Sequence, residues 1–429
     1  MRCIENAQLP GKSDSQSASA FSEEAVCITY RQQSGCIINS MKFDMIVIGG
    51  GLVGASLVAA LKGSGLKIAL IEPHETPPLP RDDSWDSRVY AISPGSAAFL
   101  QELGVWQFMA AERVAPVYEM AVFGDDNTAR INFSAYEIGV PELAFIAENR
   151  QLQSAVWEVL KSADENLHIF CPAKCIAIVW HDTHAEVQLE DGNQLEAALV
   201  VGADGVNSWV RKQAGIEVSR HAYHQIGVVA NFSAERSHRQ IAHQWFRRDG
   251  VLALLPLPEK RVSMVWSTTE DHADFLRNLP ADELCTRVEE ASSHTLGKLQ
   301  LITPPVGFPL NFVHVDKLIK PRLVLIGDAA HGIHPLAGQG VNLGLRDTRE
   351  LAAILNKRGL QTDCGDFMLL RRYELARKED ILALELVTDG LQKLFNNSNP
   401  TLARLRNLGL EITNRLPLIK NRLMQHALN

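Results

Sequence analysis

The chain has 429 residues, of which 46% are hydrophobic and 21% charged, and its formal net charge is −8. A chain of that length buries a large core and fits two interleaved lobes better than one. The acidic balance argues against nucleic acid as a partner, because phosphate binding needs a basic surface. The seven cysteines (Cys3, Cys27, Cys36, Cys171, Cys175, Cys285 and Cys364) show no paired Cys-x-x-Cys spacing. They read as structural thiols of a reducing compartment, and no metal site is expected.

Residues 1–40 are rich in Ser and Gln and lack hydrophobic periodicity, which predicts a disordered extension. They hold no apolar core of a secretory signal. Patterned sequence starts abruptly at Met41, so Met41 is expected to be the true initiator; a native N-terminus at Met1, found by mass spectrometry, would remove that idea. Met45–Ile48 reads as a strand, Val53–Lys62 as a helix and Lys67–Ile71 as a second strand, a βαβ unit of about 30 residues. The uncharged stretch Met45–Leu61 spans seventeen residues, the short end of the roughly 17–25 that cross a bilayer. Four apolar residues running into three glycines fit a buried strand and a tight turn better. Further on, Ile226–Phe232 and Val262–Ser267 alternate like antiparallel strands. Arg322–Ile326 is another buried strand, followed by a Gly-rich turn and a helix from about Val341. From Phe367 the chain reads as helical, with Pro417 as a late interruption.

Gly49-Gly50-Gly51-Leu52-Val53-Gly54 is a G-x-G-x-x-G between strand and helix. Gly49 permits the tight turn, Gly51 lets backbone approach a pyrophosphate, and Gly54 lets the helix pack on the strand. Free N–H groups and the dipole at the helix start favour phosphate. Glu72 follows Gly54 by eighteen residues; a carboxylate there accepts ribose hydroxyls and repels a 2′-phosphate, so the site suits FAD or NAD rather than NADP. A second apolar run ends in Asp204-Gly205, which alone is an ordinary turn. A third ends in Gly327-Asp328, placing a carboxylate at the carboxyl end of a strand, where ligands bind. The stretch His334–Asp347 then frees backbone donors around Pro335, Gly338, Gln339, Gly340 and Asn342, suited to the electron-rich edge of a flavin. His331 and His334 lie beside this loop without a third ligand at metal spacing and read as structural. Ser208 lacks the strand–turn–helix setting of a hydrolase nucleophile.

On these motifs the chain resembles the para-hydroxybenzoate-hydroxylase-like flavin monooxygenases, and within them the ubiquinone-biosynthesis hydroxylases. The His334–Asp347 stretch carries the resemblance most specifically. The likeness runs from Met41 to the C-terminus, including Arg404–Leu410, and excludes residues 1–40. It implies an α/β fold: a Rossmann-type FAD-binding domain (41–120, 145–220 and 313–365) interleaved with a smaller antiparallel-sheet substrate domain (121–144 and 221–312), and a helical C-terminal region (366–429). It also implies FAD held by Gly49, Gly50, Gly51, Leu52, Val53 and Gly54, with Glu72 at the adenosine ribose. Asp204 and Gly205 would support the cofactor and a nicotinamide donor, and Gly327 and Asp328 the ribityl chain. Pro335, Gly338, Gln339, Gly340 and Asn342 would line the isoalloxazine ring. Arg88 matches an arginine near the cofactor or is a surface residue. Asn149 touches the ribityl or phosphate region or caps a helix.

The implied reaction is hydroxylation of the aromatic ring of a polyprenylphenol in ubiquinone biosynthesis, using molecular oxygen and passing through a flavin 4a-hydroperoxide in a dry pocket. With one nucleotide fingerprint, electrons come from transiently docked NADPH or NADH, or from a reductase partner. No catalytic base stands out. Val228, Leu252, Leu254, Leu255 and Trp266 either line an apolar pocket or pack a core. The segment Thr401–Asn429 carries five basic residues against one acid. It reads as a surface lying on an anionic bilayer, as a contact for other ubiquinone-biosynthesis proteins, or as a plain solvated helix. The expected location is cytoplasmic, peripheral to the inner membrane. Two other readings stand beside this one: a related flavin monooxygenase of another aromatic compound, and a non-catalytic flavoprotein scaffold.

Overall fold

The computed structural model describes residues 40–124, 130–162, 164–332, 340–359 and 361–395. Expectations for residues 1–39, for His334, Pro335, Gly338 and Gln339, and for the chain beyond 395 lie outside these.

The strand Met41–Ile48 sits at the centre of the first sheet, and its second half, Met45 to Ile48, is buried. A continuous apolar run of this kind belongs between two covered faces. It pairs in parallel with Ile68–Ile71 on one side and Gln194–Gly202 on the other. Across the sheet the order is Ile319–Lys320, Leu323–Leu325, Gln194–Gly202, Met41–Ile48, Ile68–Ile71 and Leu167–Phe170. All these pairings are parallel except that of the first two. The hairpin of Cys175–Trp180 and Ala185–Leu189 joins antiparallel to the first half of Gln194–Gly202. The first helix, Leu52–Ala60, stops two residues short of the expected Lys62. Beyond it Gly63 and Gly65 take φ of +75° and +76°, a left-handed turn that ends helices cheaply only at glycine.

The second sheet orders Leu299–Leu301, Val218–Ala234, Arg261–Thr269, Gly250–Pro256, Ile241–Arg247, Glu119–Phe123 and Arg130–Ser134, with Val306–Val315 also paired to the long strand Val218–Ala234. Its strands begin before residue 121 and run past both 221 and 312, so they cross the expected domain limits. Period-two alternation divides this sheet into two faces. Val228, Leu252, Leu254 and Trp266 point to one of them and are buried with Leu276, Leu284 and Val288 of the helices Glu270–Asn278 and Ala281–Ala291. They are core, not pocket. Leu255 packs instead in a third cluster, around Trp85 and Leu257. A small sheet of Val89–Ile92, Ala144–Glu148 and Ala115–Val117 bridges the two larger ones by packing, with Ile92 and Ala147 in the core of the first and Ala115, Val117 and Ile146 clustered with Ala242 of the second.

Among the described residues no helix is long and apolar enough to cross a membrane. Met45–Leu61, the stretch that could be mistaken for a span, divides into strand, turn and helix. The helix Phe367–Phe395 packs back on the first sheet, where the buried Tyr373 hydroxyl donates to the Leu325 carbonyl at 3.1 Å.

Candidate cofactor site

Three glycine-bearing turns meet at the carboxyl ends of the parallel strands. The first is tied down by backbone bonds from Gly49 N–H to the Ile71 carbonyl (2.9 Å) and from Ala203 N–H to the Ile48 carbonyl (2.8 Å). Gly49 has φ +108°, and a Cβ there would lie 2.4 Å from the Ala203 carbonyl oxygen. No other residue fits. A Cβ on Gly54 would lie 2.0 Å from the Gly49 carbonyl oxygen, so the helix reaches the turn only because that position is bare. Gly51 differs: it is exposed, and a Cβ there would meet nothing within 4 Å. The space over Gly51 faces the start of the Leu52–Ala60 helix, where among the described residues no side chain caps the N–H groups, and no acid sits in the first turn. That is the electrostatic setting of an anion.

The Gly50 peptide is held from both sides. Its N–H donates to Glu72 Oε2 at 2.6 Å, and its carbonyl accepts from Gln153 Nε2 (2.6 Å) and Trp157 Nε1 (2.9 Å). Glu72 Oε1 also accepts from His74 N–H at 3.1 Å. A carboxylate offers about four acceptor positions, so this half-buried group retains capacity for a ribose hydroxyl.

In the second turn, Asp204 Oδ2 accepts from the N–H groups of Trp209 (2.7 Å) and Val210 (3.0 Å), opening the helix Trp209–Gln213. Among the described residues its buried Oδ1 has no hydrogen-bond partner, and buried polar atoms are rarely left so. Gly205 takes φ +80° with open space around it. Arg211, buried beneath, ties this turn to the third by donating to the carbonyls of Val206 (2.8 Å) and Ala329 (2.7 Å).

In the third turn Gly327 has φ +59° and packs against Val53, as does Gly344 of the helix Gly340–Asn356. Asp328 is reached by solvent yet surrounded by protein, as at the floor of a cleft. Burial raises its carboxyl above the ordinary value, and His331 and Arg88 partly oppose this. Gly340 opens its helix, and among the described residues nothing lies within 4 Å of its Cβ position. Asn342 is fully buried; its amide accepts from Ser93 N–H (2.9 Å) and donates to the Ala91 carbonyl (2.8 Å). It fastens the helix to the bridging sheet.

Beneath the third turn lies a buried charge network. Asp347 accepts from His331 Nε2 (2.5 Å), Gly327 N–H (2.9 Å) and Arg377 Nε (2.7 Å). Burial alone would raise the Asp347 carboxyl, but His331 and Arg377 hold it below its usual range. Burial would likewise lower His331, and Asp347 reverses that, so the imidazole is held above its ordinary value.

Arg88 stands where the two large sheets approach. The backbone around it is fixed: Asp86 accepts from the N–H groups of Arg88 (2.9 Å) and Arg150 (3.1 Å), and its carbonyl accepts from Asn231 Nδ2 (2.8 Å). The Trp85 ring takes cation–π contacts from the guanidinium groups of Arg113 (4.1 Å) and Arg261 (5.3 Å). Arg113 in turn pairs with the buried Glu148 at 2.6 Å. The exposed Arg88 guanidinium lies 5.3 Å from the Tyr90 ring and 6.0 Å from Phe308 of the second sheet. Burial raises the Tyr90 hydroxyl, with Arg88 opposing and Asp328 adding to the shift. Arg88, Tyr90 and Asp328 thus share one electrostatic neighbourhood.

Asn149 does not cap its helix. Glu148 holds the N-cap position, no side chain caps, and the Asn149 N–H donates to the Arg88 carbonyl at 2.9 Å. Gln153, Trp157 and Tyr90 were not foreseen. The first two lie four apart on one helix face, a signal that any amphipathic helix also gives.

The donor set fits an extended dinucleotide: an uncapped helix start beside open backbone, a carboxylate with spare acceptor capacity, an orphaned carboxylate oxygen, and an accessible acid at the cleft floor. The FAD binding domain family model matches residues 42–381. The chain is 35% identical over 388 residues to 3-demethoxyubiquinol 3-hydroxylase of Escherichia coli (strain K12), covering 90% of this chain and 98% of that protein. It is 33% identical to the ubiquinone hydroxylase UbiL of Rhodospirillum rubrum, covering 90% of this chain and 89% of that one. In fold it resembles the crystal structure of p-nitrophenol 4-monooxygenase PnpA from Pseudomonas putida DLL-E4, with TM-score 0.72, 17% identity and coverage of 91% and 99%. The chain belongs to the FAD-binding monooxygenases, in the family of ubiquinone-biosynthesis hydroxylases.

Proposed function

We propose that this protein is an FAD-dependent hydroxylase that places oxygen on the aromatic ring of a polyprenylphenol on the route to ubiquinone. The observation that carries the reading is the meeting of three motifs, far apart in sequence, around one cleft in a chain 35% identical to a named ubiquinol hydroxylase. Bound FAD supplies the redox chemistry and the activation of molecular oxygen; the side chains position it and exclude water.

The Gly49–Gly54 turn and the helix start would hold the pyrophosphate, and Glu72 the adenosine ribose. Asp204 and Gly205 would border the cofactor. Gly327 and Asp328 would take the ribityl chain, with Gly340 at the near edge of the ring site. Arg88 and Tyr90 would separate the nucleotide from the ring to be oxidised. For the substrate, the face of the second sheet opposite its helices is the better candidate. Val229, Val265 and Ala253 lie side by side in register there, each half-buried. Asn231 and Phe308, which share that face, reach the Arg88 segment. Apolar walls of this kind keep water from the reacting ring. Electrons would come from NADPH, NADH or a reductase, and a prenylated substrate would draw the protein to a membrane surface.

The test is incubation of purified holoprotein with a short-chain prenylphenol, a reductant and ¹⁸O₂. Hydroxylated product carrying one labelled oxygen is the expected result. Hydrogen peroxide alone, across a panel of prenylphenols, would overturn the reading in favour of a flavin-bearing scaffold.

A further inference from the structure

Away from the cofactor cleft, the hairpin Cys175–Trp180/Ala185–Leu189 turns through Asp182 and Thr183, with His181 N–H donating to the His184 carbonyl at 2.9 Å. In so tight a turn the flanking residues, His181 and His184, stand opposite each other, and Glu186, two positions on, shares the face of His184. Their rings lie nearly parallel, 4.4 Å apart with a 19° interplanar angle. One carboxylate oxygen, Glu186 Oε1, faces His181 Nε2 at 3.4 Å and His184 Nε2 at 3.6 Å. The ligand atoms of the three side chains all lie within 4.8 Å of one another.

We propose that His181, His184 and Glu186 form a binding site for a divalent transition-metal ion of the zinc, nickel or copper class. The sequence alone suggested no metal site, because the three residues converge only through the hairpin. Separations of 3.4 and 3.6 Å exceed a good N–H···O bond. They match the edge of a tetrahedron whose corners lie about 2.0–2.2 Å from a central ion, roughly 3.3–3.6 Å. The Thr183 hydroxyl lies 3.1 Å from His184 Nδ1. With Nδ1–H donated to that hydroxyl, Nε2 keeps its lone pair for metal, the usual support of a ligating histidine. The turn is held in place by Arg322, whose Nε donates to the Asp182 carbonyl at 3.0 Å and whose Nη1 pairs with Asp363. Two imidazoles and one carboxylate suit zinc, nickel or copper rather than the all-oxygen preference of magnesium or calcium. Three protein ligands on a half-exposed hairpin leave at least one position for water.

The experiment uses the full-length flavoprotein, stripped of adventitious metal with chelator and titrated with ZnCl₂ by calorimetry. One zinc per chain is expected, with affinity at least about tenfold weaker in His181→Ala and in His184→Ala, while the flavin absorbance and circular dichroism stay unchanged. A second measurement needs no variant: one equivalent of CuCl₂ should give an electron paramagnetic resonance spectrum with splitting from two nitrogen ligands. Absence of stoichiometric zinc binding, a copper spectrum without nitrogen splitting, or undiminished affinity in the His181→Ala/His184→Ala double variant would each overturn the proposal.

Discussion

Gly51→Ala separates the cofactor reading from a purely structural one. Gly51 has φ −63° and ψ 176°, extended backbone that alanine adopts without strain. Apart from its chain neighbours, its new methyl would meet no atom of the described residues within 4 Å. The apoprotein should therefore keep its stability, or gain up to about 1 kcal/mol through a less flexible unfolded chain. The methyl would project into the space where the pyrophosphate is expected to touch backbone. Inserting a methyl into a close contact costs about 1–3 kcal/mol, which corresponds to roughly 5–150-fold weaker FAD binding. Gly54→Ala is the contrast, because its methyl would lie 2.0 Å from a backbone oxygen and should destabilise apoprotein and holoprotein alike. FAD affinity is read from quenching of flavin fluorescence on titration into apoprotein, and stability from thermal unfolding of the same samples. If Gly51→Ala binds FAD as tightly as the unaltered protein, the phosphate does not sit over this turn and the argument fails.

Three further outcomes are expected. Asp347→Asn leaves Arg377 and His331 buried beside a neutral amide, and should cost about 3–5 kcal/mol in urea denaturation. The Asp347 carboxylate is held below its usual range, so its contribution is present above about pH 4 and is lost as pH falls through the folded value. The His331 imidazole is held above its usual value, so its contribution is complete below about pH 6.5 and is lost as pH rises through the folded value. The gap between variant and unaltered protein should therefore be widest between about pH 4 and 6.5, and a gap independent of pH would refute the ion pair. Val265→Trp, on the half-buried face of the second sheet, should lower kcat/KM for a prenylphenol about tenfold or more by filling the space, with flavin absorbance unchanged; unaltered kinetics would move the substrate elsewhere. Trp266→Ala, one residue along on the helix-covered face, should instead cost about 3–5 kcal/mol of stability in denaturant melts.

The contrast between Val265 and Trp266 shows what the sequence could and could not convey. Strand, glycine turn, helix and acid are local, and their spacing placed Gly49, Gly54 and Glu72 at the sheet's edge without any tertiary information. By hydrophobicity alone Val228, Leu252, Leu254 and Trp266 fit a pocket or a core equally, and they pack the core because in a two-faced sheet the most hydrophobic positions go to the face that helices cover. Alternation reveals that two faces exist but not which one stays open. The same limit applies to Gly50: its carbonyl partners, Gln153 and Trp157, come from the helix Asn149–Lys161, which packs against Leu52–Ala60. Nothing in the spacing from residue 50 to 157 encodes that approach. Asp204 was legible as a turn residue, yet its division of labour, one oxygen on helix N–H groups and the other orphaned, depends on the helix that follows.

Interleaving has a physical reason in this topology. Gln194–Gly202 and Leu323–Leu325 are neighbouring parallel strands, paired from Val200 to Gly202, and the chain between them builds most of the second sheet. Parallel neighbours always need a connection that returns from the carboxyl end of one strand to the amino end of the next. Placing the sheet inside that crossover starts it at the carboxyl edge, the same edge where Gly49, Asp204 and Asp328 gather. The earlier excursion, from Val89 to Glu148, contributes Glu119–Phe123 and Arg130–Ser134 to that same sheet and carries Arg88 at its threshold. The first insertion leaves and returns side by side, where the Asn149 N–H meets the Arg88 carbonyl. The second leaves beyond Gly202 and comes back past Gly332, to which Val313 is bridged, before the chain runs on to the amino end of Leu323–Leu325. The apolar face and the glycine turns are thus positioned by neighbouring stretches of backbone. A change in those stretches, at Asp86 or Asn231 for instance, should disturb cofactor and substrate sites together even though neither side chain needs to touch either ligand.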